Sequence, residues 1–106
     1  MTRDSVRSWL ASRTPTPPEA LTRKLAQCLD AAPDALLAGD SVAEVAGRLG
    51  VASLRTVVER PGVAYDAAMD LLVADAFVTY AFEAAAEEGD DTSGLVRLML
   101  GAVPVP

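Results

Sequence analysis

Apolar residues recur along the chain at the three- and four-residue spacing of an amphipathic helix. The clearest stripe consists of Leu21, Leu25, Cys28, Leu29 and Ala32. No segment shows the sustained period-two alternation that is typical of a half-buried strand. The pattern therefore predicts an all-α fold, in which residues 1–106 form a single domain built as a small bundle of about five or six helices.

Capping residues and prolines indicate where the first helices begin. Asp4 is a favourable N-cap for a first helix that runs to about Ser12. Thr16 precedes two prolines and stands three residues before Glu19, which is the arrangement of a capping box. We therefore expect the second helix to begin at Thr16.

The segment Tyr65–Glu88 is the most distinctive part of the chain. Between Leu71 and Phe82, apolar residues occupy almost every angular position of a helix. A helix that is apolar all round is normally surrounded, so we expect it to be the central helix of the bundle. A few short helices do not cover so long a helix completely, and we expect a dimer or partner surface on the remaining apolar side chains, namely Leu71, Leu72, Phe77, Tyr80, Leu98 and Met99.

Asp75 and Thr79 are the polar residues within this apolar segment. We expect both side chains to be buried, and a buried carboxylate requires a hydrogen-bond donor because an unpaired buried charge is costly. An arginine, the Trp9 indole or Thr79 itself could supply that donor. The alternative is that Asp75 contacts a ligand, although a lone carboxylate makes a poor metal site.

Residues 41–60 allow two interpretations. Ser41 and Glu44 form a second capping box, after which the segment is either one helix or two helices separated by a turn at Gly50. The spacing of Val45, Ala46, Leu49, Gly50 and Val51 resembles the helix-turn-helix of bacterial transcription regulators. That resemblance implies a second helix in the DNA major groove, with base contacts from its N-terminal side chains, Ser53, Arg55 and Thr56.

Composition argues against most catalytic chemistry. The chain has no histidine and a single cysteine, so it lacks the residues of a Ser-His-Asp triad, a Cys-His pair or a zinc cluster. We therefore expect no enzymatic activity, no cofactor and no metal. A net charge of −6 and an aromatic fraction of 5% also make nucleic acid the less favoured partner.

The ends of the chain carry further expectations. The N-terminus has charges of both signs without a following apolar run, and no apolar stretch approaches membrane-spanning length, so we expect a cytoplasmic protein without membrane contact. The Ala-, Arg- and Leu-rich composition suggests a bacterial source. The apolar C-terminal segment 93–106 should dock on the bundle or on a partner. The sequence thus predicts a helical interaction or assembly protein that pairs with itself or with another protein; the alternative is a helix-turn-helix DNA-binding regulator.

Overall fold

A computed structural model describes residues 2–39, 41–59, 64–89 and 91–102, and this part of the chain is all-helical. The all-α prediction is confirmed, because four helices and a short 3-10 helix pack around the long helix α4. None of the described helices is long and apolar enough to cross a membrane. The helices are α1 (Arg3–Ala11), α2 (Glu19–Ala31), the 3-10 helix (Asp34–Leu37), α3 (Val42–Glu59), α4 (Ala64–Glu88) and α5 (Thr92–Ala102).

Helices α3 and α4 form an antiparallel pair at the centre of the fold. Gly50 lies at a close contact between the two helices: a Cβ atom added there would be 2.8 Å from Val78 Cγ2 and 3.4 Å from the carbonyl oxygen of Ala74. Only a residue without a side chain permits this approach. Gly50 therefore serves helix packing.

Of the two interpretations of residues 41–60, the structure supports the single helix and contradicts the helix-turn-helix. Helix α3 continues through Gly50 to Glu59 without a turn. Glycine inside a helix costs roughly 1 kcal/mol relative to alanine. The buried contact of Gly50 with α4 outweighs that cost, and it explains why the glycine does not end the helix.

The core has two parts. In the first, α1 and α2 pack against α3 and α4 through large side chains, the most buried of which are Val6, Leu29, Val45, Leu49 and Phe77. In the second, α5 packs over the other end of the α3–α4 pair through mostly small side chains, namely Val42, Ala43, Ala46, Ala81, Ala84, Ala85 and Leu95. Small residues allow close helix approach, and alanines make up most of this second part of the core.

The stripe predicted on α2 is confirmed. Leu25, Leu29 and Ala32 are buried, and Leu21 and Cys28 pack against them as partly buried residues. The Sγ atom of Cys28 lies 3.5 Å from the Ser53 hydroxyl of α3.

The structure corrects the predicted N-cap of α1 and the predicted start of α2. The N-cap of α1 is Thr2, whose side chain accepts a hydrogen bond from the backbone N–H of Ser5, and Asp4 lies in the first turn. Helix α2 begins at Glu19, not at Thr16. A residue that precedes proline is disfavoured in the α conformation, and both Thr16 and Pro17 precede a proline, so the helix starts only after Pro18.

Two other predictions agree with the structure. Ser41 caps α3, and the C-terminal helix docks on the bundle. The Ser41 hydroxyl accepts a hydrogen bond from the backbone N–H of Glu44 at 3.2 Å. Helix α5 packs on the bundle with Leu95 buried, and its Met99 lies against Gly47 of α3. Residues 103–106 of the predicted docking segment lie outside the described residues.

Candidate functional site

Helix α4 has one face that its neighbours leave uncovered. Leu71 and Leu72 are 51% and 52% exposed. The exposed positions continue along the helix through Asp75, Thr79 and Glu83 at four-residue spacing. Because α2, α3 and α5 pack on one side of α4 only, the helix is central to the fold without being surrounded.

The prediction that Asp75 and Thr79 are buried is therefore wrong. Both side chains are exposed, and the described part of the chain has no buried charged or polar side chain. The sequence pattern misled because the apolar positions around Asp75 include residues that are themselves exposed. A carboxylate at the surface is solvated by water and needs no internal donor.

The predicted partner surface divides into exposed and buried residues. Leu71 and Leu72 are on the surface as expected. The prediction is wrong for Phe77, which is 0% exposed. It belongs to the first core cluster, where side chains of α1, α2 and α3 meet α4. Tyr80 is partly buried and packs edge-on against the ring of Trp9, with 5.8 Å between ring centroids.

On α5 the sequence prediction selected the wrong side of the helix. Leu98 and Met99 are partly buried, and Met99 packs against the second core cluster. Val96 and Leu100 are exposed instead. The spacing that buries Leu95 and Met99, four residues apart, places Val96 and Leu100 about 100° further round the helix, and this signal could have identified them.

Two further exposed apolar residues were missed at the end of α3. Leu54 is 39% exposed and Val58 is 72% exposed. Leu54 follows Gly50 by one helical turn, and Leu71 precedes Ala74 by about one turn, so the antiparallel pairing puts both at the same end of the α3–α4 pair. We call this set, consisting of Leu54, Val58, Leu71 and Leu72, the apolar end.

The residues predicted to contact DNA lie on the same turns of α3 as Leu54 and Val58. They do not form a separate recognition helix. Ser53 is half-buried and faces Cys28 of α2. The Thr56 hydroxyl donates a hydrogen bond to the carbonyl oxygen of Ala52, within its own helix. Arg55 is exposed. These residues belong to the interior of one helix, so they lack the free N-terminal turn that a recognition helix presents to base edges.

A groove with several polar residues in its lining lies next to the apolar end, since Ser53, Asp70 and Val73 are chain neighbours of Leu54, Leu71 and Leu72. It has a volume of about 250 Å³ and is lined by Lys24, Gln27, Cys28, Ser53, Thr56, Asp70 and Val73. The apolar end therefore combines exposed leucine and valine side chains with a polar margin, which is the arrangement of many protein interaction surfaces.

The described residues contain no group of three or more Cys, Asp or Glu side chains that could hold a metal ion. Comparison with known proteins adds no assignment, since no protein-family model, curated protein or solved structure matches the chain.

Proposed function

We propose that this chain is a non-enzymatic helical interaction protein that associates with a second copy of itself through the apolar end. The observation that carries the proposal is the exposure of Leu71 and Leu72 on the central helix, at 51% and 52%. Such side chains are costly to leave in water when they lie together, and burial of apolar area stabilises association by roughly 25 cal/mol per Å².

The position of the apolar end favours rigid association. Leu71 and Leu72 lie on a helix whose opposite face includes the buried Val73 and Phe77, so the exposed leucines are carried by a helix that is anchored in the core. A surface that is already ordered loses little conformational entropy when it binds.

A second copy fits this surface because an apolar patch is complementary to itself. In a twofold dimer the same patch of each protomer meets its equivalent, and twofold dimers are the commonest soluble oligomers. Leucine side chains from two copies of α4 would pack against one another, with the polar margins at the rim.

The non-enzymatic part of the proposal is supported by composition and by the placement of the acidic groups. The chain has no histidine. Several of its carboxylates pair with arginines at the surface, among them Asp30 with Arg7 and Glu87 with Arg13. These pairs connect α1 and the segment after it to α2 and α4.

Sedimentation equilibrium from micromolar to hundred-micromolar protein tests the proposal. The wild type should be dimeric, and the double variant Leu71→Lys/Leu72→Lys should be monomeric, since two buried ammonium groups cannot be accommodated in an apolar interface. The matched control is Ala20→Lys/Ala31→Lys, which adds the same charge at exposed positions of α2 and should remain dimeric.

Circular dichroism establishes that each variant keeps its helical content. A wild type that is strictly monomeric at the highest concentration contradicts the proposal of self-association. A double leucine variant that is still dimeric contradicts the assignment to the apolar end.

A further inference from the structure

A pocket of about 290 Å³ lies between α1 and α2, and Tyr80 of α4 contributes to its lining. This volume is near the lower limit of known small-molecule sites, which measure about 300–1,000 Å³. Its walls are mainly apolar, and the segment between α1 and α2 closes one end. The apolar lining comprises Leu10, Ala11, Pro17, Leu25, Ala26 and Leu29.

Ionic contacts hold the walls of the pocket in place. Arg7 of α1 forms an ion pair with Asp30 of α2 and another, at 2.5 Å, with Asp4. Arg13 reaches α4, where its Nη1 lies 2.5 Å from Glu87 Oε2 and 3.7 Å from Glu83 Oε2. The pocket is thus bounded by three helices that are tied together at its rim.

The electrostatics of the rim disfavour an anionic ligand. Arg7 and Arg13 both line the pocket, and each guanidinium lies beside two carboxylates. The hydrogen bonds that Arg7 donates to Asp30 and Arg13 donates to Glu87 raise the pKa of each guanidinium, so both arginines remain charged and paired. Both cations of the lining are thus already paired with carboxylates that lie outside the lining, so the pocket offers an incoming carboxylate no unpaired cation to offset its loss of hydration.

Tyr80 supplies the polar group that a ligand could use. Its ring packs edge-on against Trp9, and Tyr80 belongs to the pocket lining. Its hydroxyl has no hydrogen bond to another described residue, whereas the Thr22 hydroxyl already donates to the carbonyl oxygen of Pro17 at 3.2 Å. Burial raises the pKa of Tyr80 above its usual value of 10.0, so the hydroxyl stays protonated at neutral pH.

We propose that this pocket binds a small, uncharged and largely apolar molecule that carries a single hydroxyl or carbonyl group. The leucine and alanine walls would contact its apolar body, and the Tyr80 hydroxyl would form a hydrogen bond with its polar group. The site is separate from the apolar end on α3 and α4, so this inference does not depend on the proposed dimer.

The fluorescence of Trp9 reports on the site directly, because the chain has one tryptophan and its ring touches Tyr80. The probes are 4-phenyl-1-butanol and its carboxylate counterpart, 4-phenylbutanoate, titrated up to about 10 mM. We expect a saturable change with the alcohol and binding at least about tenfold weaker for the carboxylate, because the pocket supplies no unpaired cation for a charged group that must leave water.

Two variants block the pocket from opposite walls. Ala11→Phe on α1 and Ala26→Phe on α2 both alter exposed alanines that line the pocket, so neither substitution disturbs the buried core. Each should weaken binding of the alcohol by at least about tenfold, because the added ring occupies the ligand's volume. Ala20→Phe, at an exposed position of α2 outside the lining, is the matched control and should bind as the wild type does.

Tyr80→Phe tests the hydrogen bond and should weaken binding of the alcohol by about threefold to tenfold. Three outcomes would overturn the inference: no saturable response to the alcohol, wild-type binding by both blocking variants, or equal binding of the carboxylate. Chemical shift changes at the backbone amides of Ala11 and Ala26 provide a second readout that does not depend on fluorescence.

Discussion

At the residue scale, the same amino acid has different consequences according to what lies beside it. Gly50 and Gly94 are both helical glycines. A Cβ at Gly50 would meet the side chain and backbone of Val78, whereas a Cβ at Gly94 would have nothing within 4 Å. Asp75 illustrates the same point, because a carboxylate amid apolar sequence is exposed once the helix faces are assigned.

Substitution by alanine should change the free energy of unfolding in opposite directions at the two glycines. Gly50→Ala should lower the free energy of unfolding by about 1 kcal/mol or more, since the overpacking of roughly 1–3 kcal/mol exceeds the gain in helix propensity. Gly94→Ala should raise it by up to about 1 kcal/mol, because it gains the propensity alone. Urea denaturation measures both, and a stabilised Gly50 variant would show that α3 and α4 are not in close contact there.

At the scale of the element, helix starts depend on backbone geometry as well as on the identity of the capping residue. Thr16 and Ser41 both begin a capping-box pattern. Ser41 caps α3, since its hydroxyl accepts a hydrogen bond from the N–H of Glu44, whereas α2 begins three residues after Thr16. The two prolines that follow Thr16 account for the difference.

Alanine substitutions should distinguish the capping role of Ser41 from that of Thr16. Ser41→Ala should destabilise the protein by about 1 kcal/mol, the usual cost of losing a cap. Thr16→Ala should change the stability by less than about 0.5 kcal/mol, because its side chain is exposed and caps no helix. Equal losses in thermal or urea denaturation would contradict the observed start of α2.

The start of α5 adds a dependence on pH. The Asp91 carboxylate accepts a hydrogen bond from the backbone N–H of Ser93 at 2.9 Å, and this bond lowers the pKa of Asp91 below 3.8. A carboxyl group whose pKa is lowered by folding stabilises the folded state above its unfolded pKa, and this contribution disappears as the pH falls through the folded pKa.

Asp91→Asn keeps a good capping residue but cannot titrate. We expect the wild type to lose its stability advantage over this variant as the pH falls from about 6 to about 3. Urea denaturation at several pH values measures the difference between the two proteins. A difference that does not change with pH would mean that the Asp91 carboxylate does not contribute to the cap.

At the scale of the whole molecule, the bundle buries one side of α4 and leaves the other side to solvent. The chain carries a net charge of −6, with eight of its acidic residues and only one arginine in residues 61–106. Two copies that associate through the apolar end therefore bring like charges near each other. Apolar contacts must overcome this repulsion in the proposed dimer.

Salt should consequently strengthen the dimer. Raising the ionic strength from about 20 mM to about 300 mM shortens the screening length, and we expect the dimer dissociation constant to fall severalfold. Sedimentation equilibrium at several salt concentrations measures this change. A dissociation constant that rises with salt would indicate an interface held by ion pairs and would argue against the apolar end.

The sequence by itself determined the helical class, the stripe on α2, the extent of α4 and the cap at Ser41, because periodicity and capping depend on neighbouring residues in the chain. Only the tertiary structure decided that α3 continues through Gly50, that Phe77 is in the core and that Asp75 is exposed. These outcomes depend on which helix packs against which face. The pocket between α1 and α2 arises where separate helices meet, and the exposed leucines of α4 arise where its neighbours do not cover it.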